Sequence, residues 1–260
     1  MAGETSTGTF LQGLERGLAV IRAFSADAPS LTLSEVARDV GITPATARRI
    51  LLTLEELGYV RSDGRRFSLT PRVLALGWAY LSSLDLGELA GPFMEELSAK
   101  TRESCSIATL DLPDIVYVAR VPTSRIMTVA LGVGARLPAY PTSMGRVLLA
   151  GLPEDELTTY LSTLDAESLT PRTVTSADKL RDTINRARVD GYALVDQELE
   201  LGLRSIAAPI RNARGRTIAA LNVSAHASRS TPTSLRAEVL PHLQATAAQI
   251  TTALTHRGHL

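Results

Sequence analysis

Cysteine, aromatic residues and a net charge are scarce or missing in this sequence. Its 260 residues include one cysteine, Cys105, and only 4% aromatic side chains, and its 27 basic residues balance its 27 acidic ones. A lone cysteine excludes a disulfide within the chain and a zinc cluster built on cysteines. A net charge of zero argues against a protein that coats nucleic acid along its whole length, although it leaves room for one small basic surface.

Long apolar runs are also missing. No stretch approaches the roughly 18 apolar residues that a membrane-spanning helix needs. The opening residues MAGETSTGTF show no charged segment followed by an apolar one, as a secretory signal would. We find no internal repeat and no low-complexity tract. The composition, 45% hydrophobic and 21% charged, is typical of a globular protein, and we expect a cytoplasmic location without a membrane partner.

Signatures of catalysis and of cofactor binding are absent as well. There is no G-x-S-x-G, P-loop or dinucleotide fingerprint, and Gly132-Val-Gly134 lacks a third glycine. Cys105, His226 and a carboxylate can be drawn as a triad, but no surrounding motif supports one. The four histidines show no metal-ligand spacing beyond a C-terminal pair. We therefore predict no catalytic residue, no metal and no cofactor.

The N-terminal part of the chain is patterned as three helices and a hairpin. One face of the first helix carries Leu14, Leu18 and Ile21. Thr32 or Ser34 can cap a second helix, after which Gly41 permits a tight turn. Thr43-Pro44 begins a third helix, and its apolar residues follow helical spacing: Ala47, Ile50, Leu51, Leu54 and Leu57. Ser62-Asp63-Gly64 between two extended segments indicates a hairpin. This order of elements predicts a winged helix-turn-helix module.

The exposed side of the third helix and the hairpin tip carry side chains that suit DNA. Hydroxyl and methyl groups can contact base edges, and guanidinium groups can pair with guanine or phosphate. Between Thr43 and Arg72 there are six arginines and three acids, a local charge of +3 in a neutral chain. A solvated helix and hairpin would also carry arginines, but not cap, turn glycine, helix and wing in this order. We predict a DNA contact surface that comprises Thr32, Ser34, Thr43, Pro44, Ala45, Thr46, Arg48, Arg49, Arg65 and Arg66.

From Ser104 onward, extended segments alternate with helices. The predicted strands are Ser104–Leu110, Asp114–Val121, Met127–Leu131, Tyr192–Asp196, Arg204–Ile210 and Thr217–Ala225. Helical patterns are predicted at Thr142–Ala150, Pro153–Leu161, Ser176–Asp190 and Pro232–His256. We predict an α+β protein in four parts: a disordered segment at 1–9, a winged helix-turn-helix domain at 10–71, a linker helix at 72–84 and a second domain at 85–260.

Six stretches of the chain resemble the IclR family of bacterial transcription regulators. They are Gln12–Phe24, Leu33–Thr43 and Ala47–Val60 in the first domain, and Gly134–Pro138, Gly145–Ala150 and Gly191–Ala207 in the second. The resemblance covers nearly the whole chain after residue 10. The stretch Val195-Asp-Gln-Glu-Leu-Glu200 is similar to the branch that regulates protocatechuate, 4-hydroxybenzoate and β-ketoadipate pathway genes.

The resemblance implies a GAF-like second domain that binds a small carboxylate. It assigns Ser143 and Met144 to a helix start that offers backbone amides to the carboxylate, and a helix N-terminus suits an anion physically. It matches the polar strand positions to Ser205, Asn222 and Ser224, and the apolar wall to Ile126, Val129 and Leu137. Members that bind small oxoacids pair two acids where this chain has Val195-Asp196, and a cysteine is common where it has Ser205. These departures are compatible with a larger or more anionic ligand.

Several of these polar residues also have structural interpretations. Arg136 and Arg204 can each grip a carboxylate with two hydrogen bonds, yet Arg204 lies in a structural Gly-Leu-Arg-Ser motif. Asp196 can accept backbone hydrogen bonds at a strand end, and Asn222 and Ser224 can satisfy neighbouring strands. The predicted effector site includes Arg136, Asp196, Asn222 and Ser224.

We expect a homodimer, or a dimer of dimers, that binds double-stranded operator DNA at a pseudo-palindrome. The linker helix, with Trp78, is a candidate dimer contact. The expected effector is a small carboxylate, either an aromatic acid or a keto-diacid, and RNA polymerase is a further partner if the protein is an activator. Two alternatives are a member of the same family that senses another carboxylate, such as an oxoacid, and a DNA-binding protein without a small-molecule effector.

Overall fold

The structure is a computed structural model that describes residues 10–84, 86–123 and 132–256. The chain divides into two compact units, and the division falls between Tyr80 and Leu81. This point lies inside the predicted linker helix at 72–84. The predicted disordered segment at 1–9 and the predicted strand Met127–Leu131 lie outside the described residues.

The described part of the first unit combines helices with a small antiparallel sheet. The helices are α1 (Gln12–Arg22), α2 (Leu33–Val40) and α3 (Pro44–Glu56), and the strands are β1 (Leu31–Thr32), β2 (Val60–Ser62) and β3 (Arg66–Leu69). The strand order is β1-β3-β2. A 3-10 turn at Pro71–Val73 leads into α4 (Leu74–Leu84). The helices and strands of the first unit therefore follow one another in the order of a winged helix-turn-helix module.

One apolar core holds the first unit together. It is formed by Val20, Leu31, Val36, Ala37, Ala47, Leu51, Leu54 and Val60. The predicted apolar face of α1 is largely outside this core, since Leu14 and Leu18 are 62% and 47% exposed, and α1 packs through Val20 instead. Leu57 is 50% exposed because α3 ends there, and Gly58 turns the chain with a φ of 80°.

The second unit is built on an antiparallel sheet. Its strands are β4 (Ser104–Asp111), β5 (Asp114–Val121), β6 (Arg136–Pro138), β7 (Ala193–Asp196), β8 (Leu203–Arg211) and β9 (Thr217–His226). They follow the order β6-β5-β4-β9-β8-β7. The sequence pattern predicts each of these strands to within about two residues, except β6, which is too short to show alternation.

Helices cover both faces of this sheet. On one face, α5 (Leu86–Thr101) and α10 (Leu240–His256) pack against a cluster that includes Ile107, Ile206 and Leu221. The other face carries α6 (Ser143–Ala150), α7 (Glu154–Thr163) and α8 (Ala177–Asp190). The predicted C-terminal helix is interrupted, because the short α9 (Pro232–Ser234) and a π-helical turn at Leu235–Val239 precede α10. None of the helices described here combines the length and apolar character needed to cross a membrane.

Candidate functional sites: a DNA-binding surface and an effector cavity

The first turn of α3 is fixed by its own hydroxyl groups. Thr43 Oγ1 accepts a hydrogen bond from the backbone N–H of Thr46 (3.2 Å), and Pro44 occupies the first helical position, where no N–H is needed. Thr46 is half-buried, and the other predicted contacts on α3 are exposed: Thr43, Pro44, Ala45, Arg48 and Arg49. The structure therefore brings this part of the predicted DNA surface together at one end of α3.

Thr32 and Ser34 lie at the start of α2 in different environments. Thr32 Oγ1 accepts a hydrogen bond from the N–H of Glu35 (3.3 Å), and Glu35 Oε2 accepts one from the N–H of Thr32 (2.7 Å). This reciprocal cap and the nearby Arg66 hold the pKa of Glu35 below its usual value. The Thr32 hydroxyl is thus engaged in the cap, whereas Ser34 is exposed.

The two arginines of the wing also differ. Asp63 Oδ1 accepts hydrogen bonds from the backbone N–H groups of Arg66 (2.7 Å) and Arg65 (3.0 Å), and these bonds lower the pKa of Asp63. Arg65 is exposed. The Arg66 guanidinium donates to the carbonyl oxygen of Ser30 (2.7 Å) and lies 3.4 Å from Glu35 Oε2. Of the two predicted wing contacts, Arg66 is therefore held against the body of the unit.

A cavity lies between α6 and the sheet of the second unit. Its free volume is about 20 Å³, and it is lined by Tyr117, Arg120, Pro141, Thr142, Ser143, Met144, Val195, Leu199, Leu203, Ser205, Asn222 and Ser224. Five of the predicted effector residues line it together: Ser143, Met144, Ser205, Asn222 and Ser224. Arg136, Leu137 and Asp196 are not in its lining, and Ile126 and Val129 lie outside the described residues.

The N-terminus of α6 opens onto this cavity. Thr142 Oγ1 accepts a hydrogen bond from the N–H of Gly145 (3.0 Å), and the N–H groups of Ser143 and Met144 precede the intrahelical hydrogen bonds. Gly145 allows this turn to approach the backbone of Ala139, which a Cβ atom would strike. Ser143 is 1% exposed, and within the described residues its hydroxyl has no hydrogen-bond partner. A buried, unpartnered hydroxyl beside a helix N-terminus suits an anionic group.

Polar side chains on the neighbouring strands form a second lining element, the polar row (Ser205, Asn222 and Ser224). Asn222 Oδ1 accepts a hydrogen bond from the backbone N–H of Ser106 (3.0 Å), and Asn222 Nδ2 donates to Ser224 Oγ (3.0 Å). Ser205 on β8 lies opposite Ser224 on β9. Asn222 and Ser224 thus satisfy neighbouring groups and also line the cavity.

The arginines that the sequence offers for a carboxylate are already paired. Arg136 bridges Asp111 (2.6 Å) and Asp114 (3.1 Å) at exposed positions. Arg204 pairs with Asp196 (2.6 Å), so Asp196 receives a side-chain cation rather than only backbone donors. Asp196 also lies 2.8 Å from Arg172. These contacts explain why Arg136 and Asp196 are absent from the cavity lining.

Arg120 lines the cavity although alternation along β5 does not predict it. Ile107 lies opposite Ala119, but Ala108 lies opposite Tyr117, so β5 has one extra residue at a bulge, Val118. Tyr117 and Arg120 therefore line the same cavity, whereas residues three apart on a regular strand point to opposite faces. No local sequence signal marks this bulge.

The remaining lining is mostly neutral. Leu199, between β7 and β8, and Leu203, the first residue of β8, are lining residues that the sequence analysis does not identify. Burial raises the pKa of Tyr117 to about 12, so its hydroxyl stays protonated near neutral pH. Among the described residues, no group of histidine, cysteine, aspartate and glutamate side chains could hold a metal ion.

Together, a winged helix-turn-helix unit and a unit with a polar-lined cavity define a DNA-binding regulator with a sensor domain. The family model "IclR helix-turn-helix domain" matches residues 13–64, and "Bacterial transcriptional regulator IclR C-terminal" matches residues 78–252. The chain belongs to the IclR family of bacterial transcriptional regulators, and its family role is regulation rather than catalysis. The family and the α+β architecture predicted from the sequence are confirmed.

Relatives place the chain within this family. It is 47% identical over 237 residues to the Pca regulon regulatory protein of Pseudomonas putida, covering 91% of this chain and 81% of the relative. It is 39% identical to the p-hydroxybenzoate hydroxylase transcriptional activator of Acinetobacter baylyi, covering 95% and 93%. An IclR homolog of Microbacterium hydrocarbonoxydans, solved in complex with 4-hydroxybenzoate, matches with a TM-score of 0.83 at 26% identity, covering 93% and 98%.

Proposed function

We propose that this regulator controls genes of aromatic-acid catabolism in response to a small carboxylate bound in the cavity of the second unit. Two relatives are a Pca regulon regulator and a p-hydroxybenzoate hydroxylase activator, and a similar structure holds 4-hydroxybenzoate. The effector is an aromatic acid or a keto-diacid. Operator DNA is double-stranded and lies in the bacterial cytoplasm, which is therefore the proposed site of action.

The buried hydroxyl of Ser143 carries this proposal. Unpartnered buried polar groups are rare in native structures, because each costs the free energy of its lost hydration. The Ser143 hydroxyl lies at the N-terminus of α6 in a cavity whose described lining contains no acidic residue. A carboxylate there would accept hydrogen bonds from this hydroxyl and from the first amides of α6.

A thermal-shift series tests the effector class. Ligands that bind only the native state must raise Tm with concentration. We expect a rise with 4-hydroxybenzoate, protocatechuate or β-ketoadipate. A rise only with pyruvate or glyoxylate would indicate a regulator that senses an oxoacid. No rise with any of these acids would indicate a DNA-binding protein without such an effector.

Calorimetry with Ser143→Ala locates the binding site. Loss of a hydrogen bond to a charged group should weaken effector binding by about 1.5–3 kcal/mol. Tyr160→Phe is the matched control, because Tyr160 carries the other buried hydroxyl without a partner in the described residues, and it is not in the cavity lining. Equal effects of the two variants would contradict the placement of the carboxylate.

DNA binding is proposed to use α3 and the wing. Arg49→Ala should weaken operator binding by about 1–3 kcal/mol if Arg49 contacts a base. Arg214→Ala, an exposed arginine of the second unit, is the control. Titrations at one fixed salt concentration make the comparison, and unchanged binding by the Arg49 variant would remove this residue from the site.

The proposed regulator acts as a homodimer, or a dimer of dimers, on a pseudo-palindromic operator. Exposed leucines support an interface in the first unit: Leu11, Leu14 and Leu18 near or on α1, and Leu74 and Leu76 on α4. An effector changes operator binding only through different affinities for the two arrangements of this oligomer. RNA polymerase is a partner if the operator position makes the protein an activator.

Light scattering tests the proposed interface by comparing the molar mass of the Leu14→Glu variant with that of the wild type. An unchanged molar mass would exclude this surface as the interface.

A further inference from the structure

Arg120 lies beside the polar row because of the strand register. It is opposite Ser106 on β4, and Ser106 is opposite Asn222 on β9. The bulge at Val118 adds one residue to β5, so Arg120 lines the cavity together with Tyr117. The position of Arg120 is fixed by the pairing of β4 with β5 and does not depend on a loop.

Arg120 also brings a positive charge that none of the described carboxylates neutralises. It is half-buried, and no aspartate or glutamate of the described residues lies within ion-pair distance of it. The segment 124–131 contains no acidic residue in its sequence. Other arginines close to this part of the fold are compensated, as the buried pair of Arg146 and Glu198 (2.7 Å) shows. Among the described residues that line the cavity, Arg120 alone has a charged side chain.

The described lining of the cavity therefore contains two separate groups that stabilise negative charge. One is the N-terminus of α6 with the Ser143 hydroxyl, and the other is the Arg120 guanidinium. A ligand with a single carboxylate would satisfy one group and bury the other without a partner, which is unfavourable for a charged donor.

We propose that Arg120 is a specificity-determining residue that binds a second acidic oxygen of the effector. The protein thereby selects small acids with two acidic oxygen groups over those with a single carboxylate. This inference rests on the proposed function, in which the first carboxylate binds at α6. A phenolic hydroxyl and a second carboxylate share the required chemistry, because each presents an ionisable oxygen that accepts hydrogen bonds from the planar guanidinium and whose anionic form the guanidinium stabilises.

Calorimetry with four ligands tests the proposal: benzoate, 4-hydroxybenzoate, 4-carboxybenzoate and β-ketoadipate. The wild type should bind at least one doubly acidic ligand about tenfold or more tightly than benzoate, the effect expected of a charged hydrogen bond. Arg120→Gln should abolish this preference by weakening the doubly acidic ligands, and it should not weaken benzoate, because benzoate lacks the group that Arg120 binds and no longer buries an unpaired guanidinium. Arg120→Lys, which keeps the charge but not the planar fork, should be intermediate.

Two controls separate recognition from a general defect. Arg136→Gln removes an arginine that pairs with Asp111 and Asp114 outside the cavity, and it should leave the ligand preference unchanged. The ultraviolet difference spectrum of bound 4-hydroxybenzoate should show phenolate character that Arg120→Gln loses. Loss of stability alone would weaken all four ligands together and would not change this spectrum.

The outcomes also separate this inference from the proposed function. A preference for 4-hydroxybenzoate identifies the second group as a phenol, and a preference for 4-carboxybenzoate or β-ketoadipate identifies it as a carboxylate. Benzoate binding as tightly as the other acids, or a preference that persists in Arg120→Gln, would overturn the role of Arg120 and leave the carboxylate site intact. Absence of binding by all four acids would overturn both proposals.

Discussion

The two units differ in where they place their polar functional groups. In the first unit every described buried residue is apolar, and the candidate DNA contacts Arg48, Arg49 and Arg65 are exposed. In the second unit, polar groups of the candidate site are themselves in the interior: Ser143, Ser205 and Asn222 are each less than 9% exposed, as is the buried ion pair of Arg146 and Glu198 outside the cavity lining. DNA approaches a surface, whereas a small effector has to be enclosed. Changes to the effector site therefore alter the core of its unit, and changes to the DNA site do not.

The largest test of this contrast is to break a buried ion pair of the second unit. Glu198→Ala leaves the Arg146 guanidinium buried without its carboxylate, which should lower the free energy of unfolding by about 3–5 kcal/mol. Urea denaturation combined with hydrogen exchange would assign the loss to the second unit. Glu96→Ala is the control, since Glu96 and Lys100 are also 2.7 Å apart but exposed, and it should cost less than about 1 kcal/mol. Equal losses would contradict the contrast.

A second test changes the close packing beneath the effector site. Gly145→Ala places a Cβ atom against the backbone of Ala139, so α6 must shift, and we expect a loss of about 1–3 kcal/mol in stability together with weaker effector binding. Gly13→Ala on α1 is the counterpart in the first unit, where the new Cβ meets nothing within 4 Å. It should stabilise the helix by up to about 1 kcal/mol. Melting curves of both variants measure the difference.

A smaller effect is expected at the exposed cap of α3. Thr43→Ala removes the hydroxyl that accepts the Thr46 N–H and should destabilise the first unit by about 1 kcal/mol. Ser176→Ala at the start of α8 is matched in position, but its side chain makes no cap hydrogen bond, so its effect should be smaller. Hydrogen exchange of the first-turn amides of each helix gives the comparison. Similar protection losses in α3 and α8 would show that the cap bond contributes little.

The smallest effect is the response of the first unit to acid. The folded state lowers the pKa of Glu35 from its usual 4.5, mainly through hydrogen bonds from Thr32. Glu35 therefore contributes stability above the unfolded-state pKa, and this contribution is lost as the pH falls through the lower, folded-state pKa. Glu35→Gln removes the titrating carboxyl group. As the pH falls below about 5, the backbone amides of α2 should therefore lose less hydrogen-exchange protection in this variant than in the wild type. Parallel profiles for the two proteins would exclude this contribution.

The first unit is largely predictable because its signals are local. Thr43 lies three residues from the amide that it caps, Gly41 takes the φ of 70° required by the turn, and Asp63-Gly64 forms the wing turn. Local patterns cannot show what covers a helix face, however. Leu14 and Leu18 follow helical spacing, yet they are exposed, because packing depends on the rest of the unit.

The effector site is less predictable because long-range contacts decide it. The strand limits of β5 agree with the prediction, but the bulge that directs Arg120 arises from pairing with β4. Arg136 has the chemistry of a carboxylate ligand, and Asp111 and Asp114, more than twenty residues away in sequence, occupy it instead. Family resemblance rather than periodicity singled out Ser143 and the polar row.

The bulge in β5 also has an evolutionary consequence. At the bulge, β5 has one residue more than the paired segment of β4. Beyond this extra residue, each side chain of β5 points to the opposite face of the sheet from the one that it would occupy in a regular strand. A single-residue insertion or deletion near Val118 would therefore exchange the positive side chain in the cavity for a neighbour of different chemistry, while the helices on both faces keep their places. Lineages that share this scaffold can reach new effectors by such a step, without having to substitute each lining residue in turn.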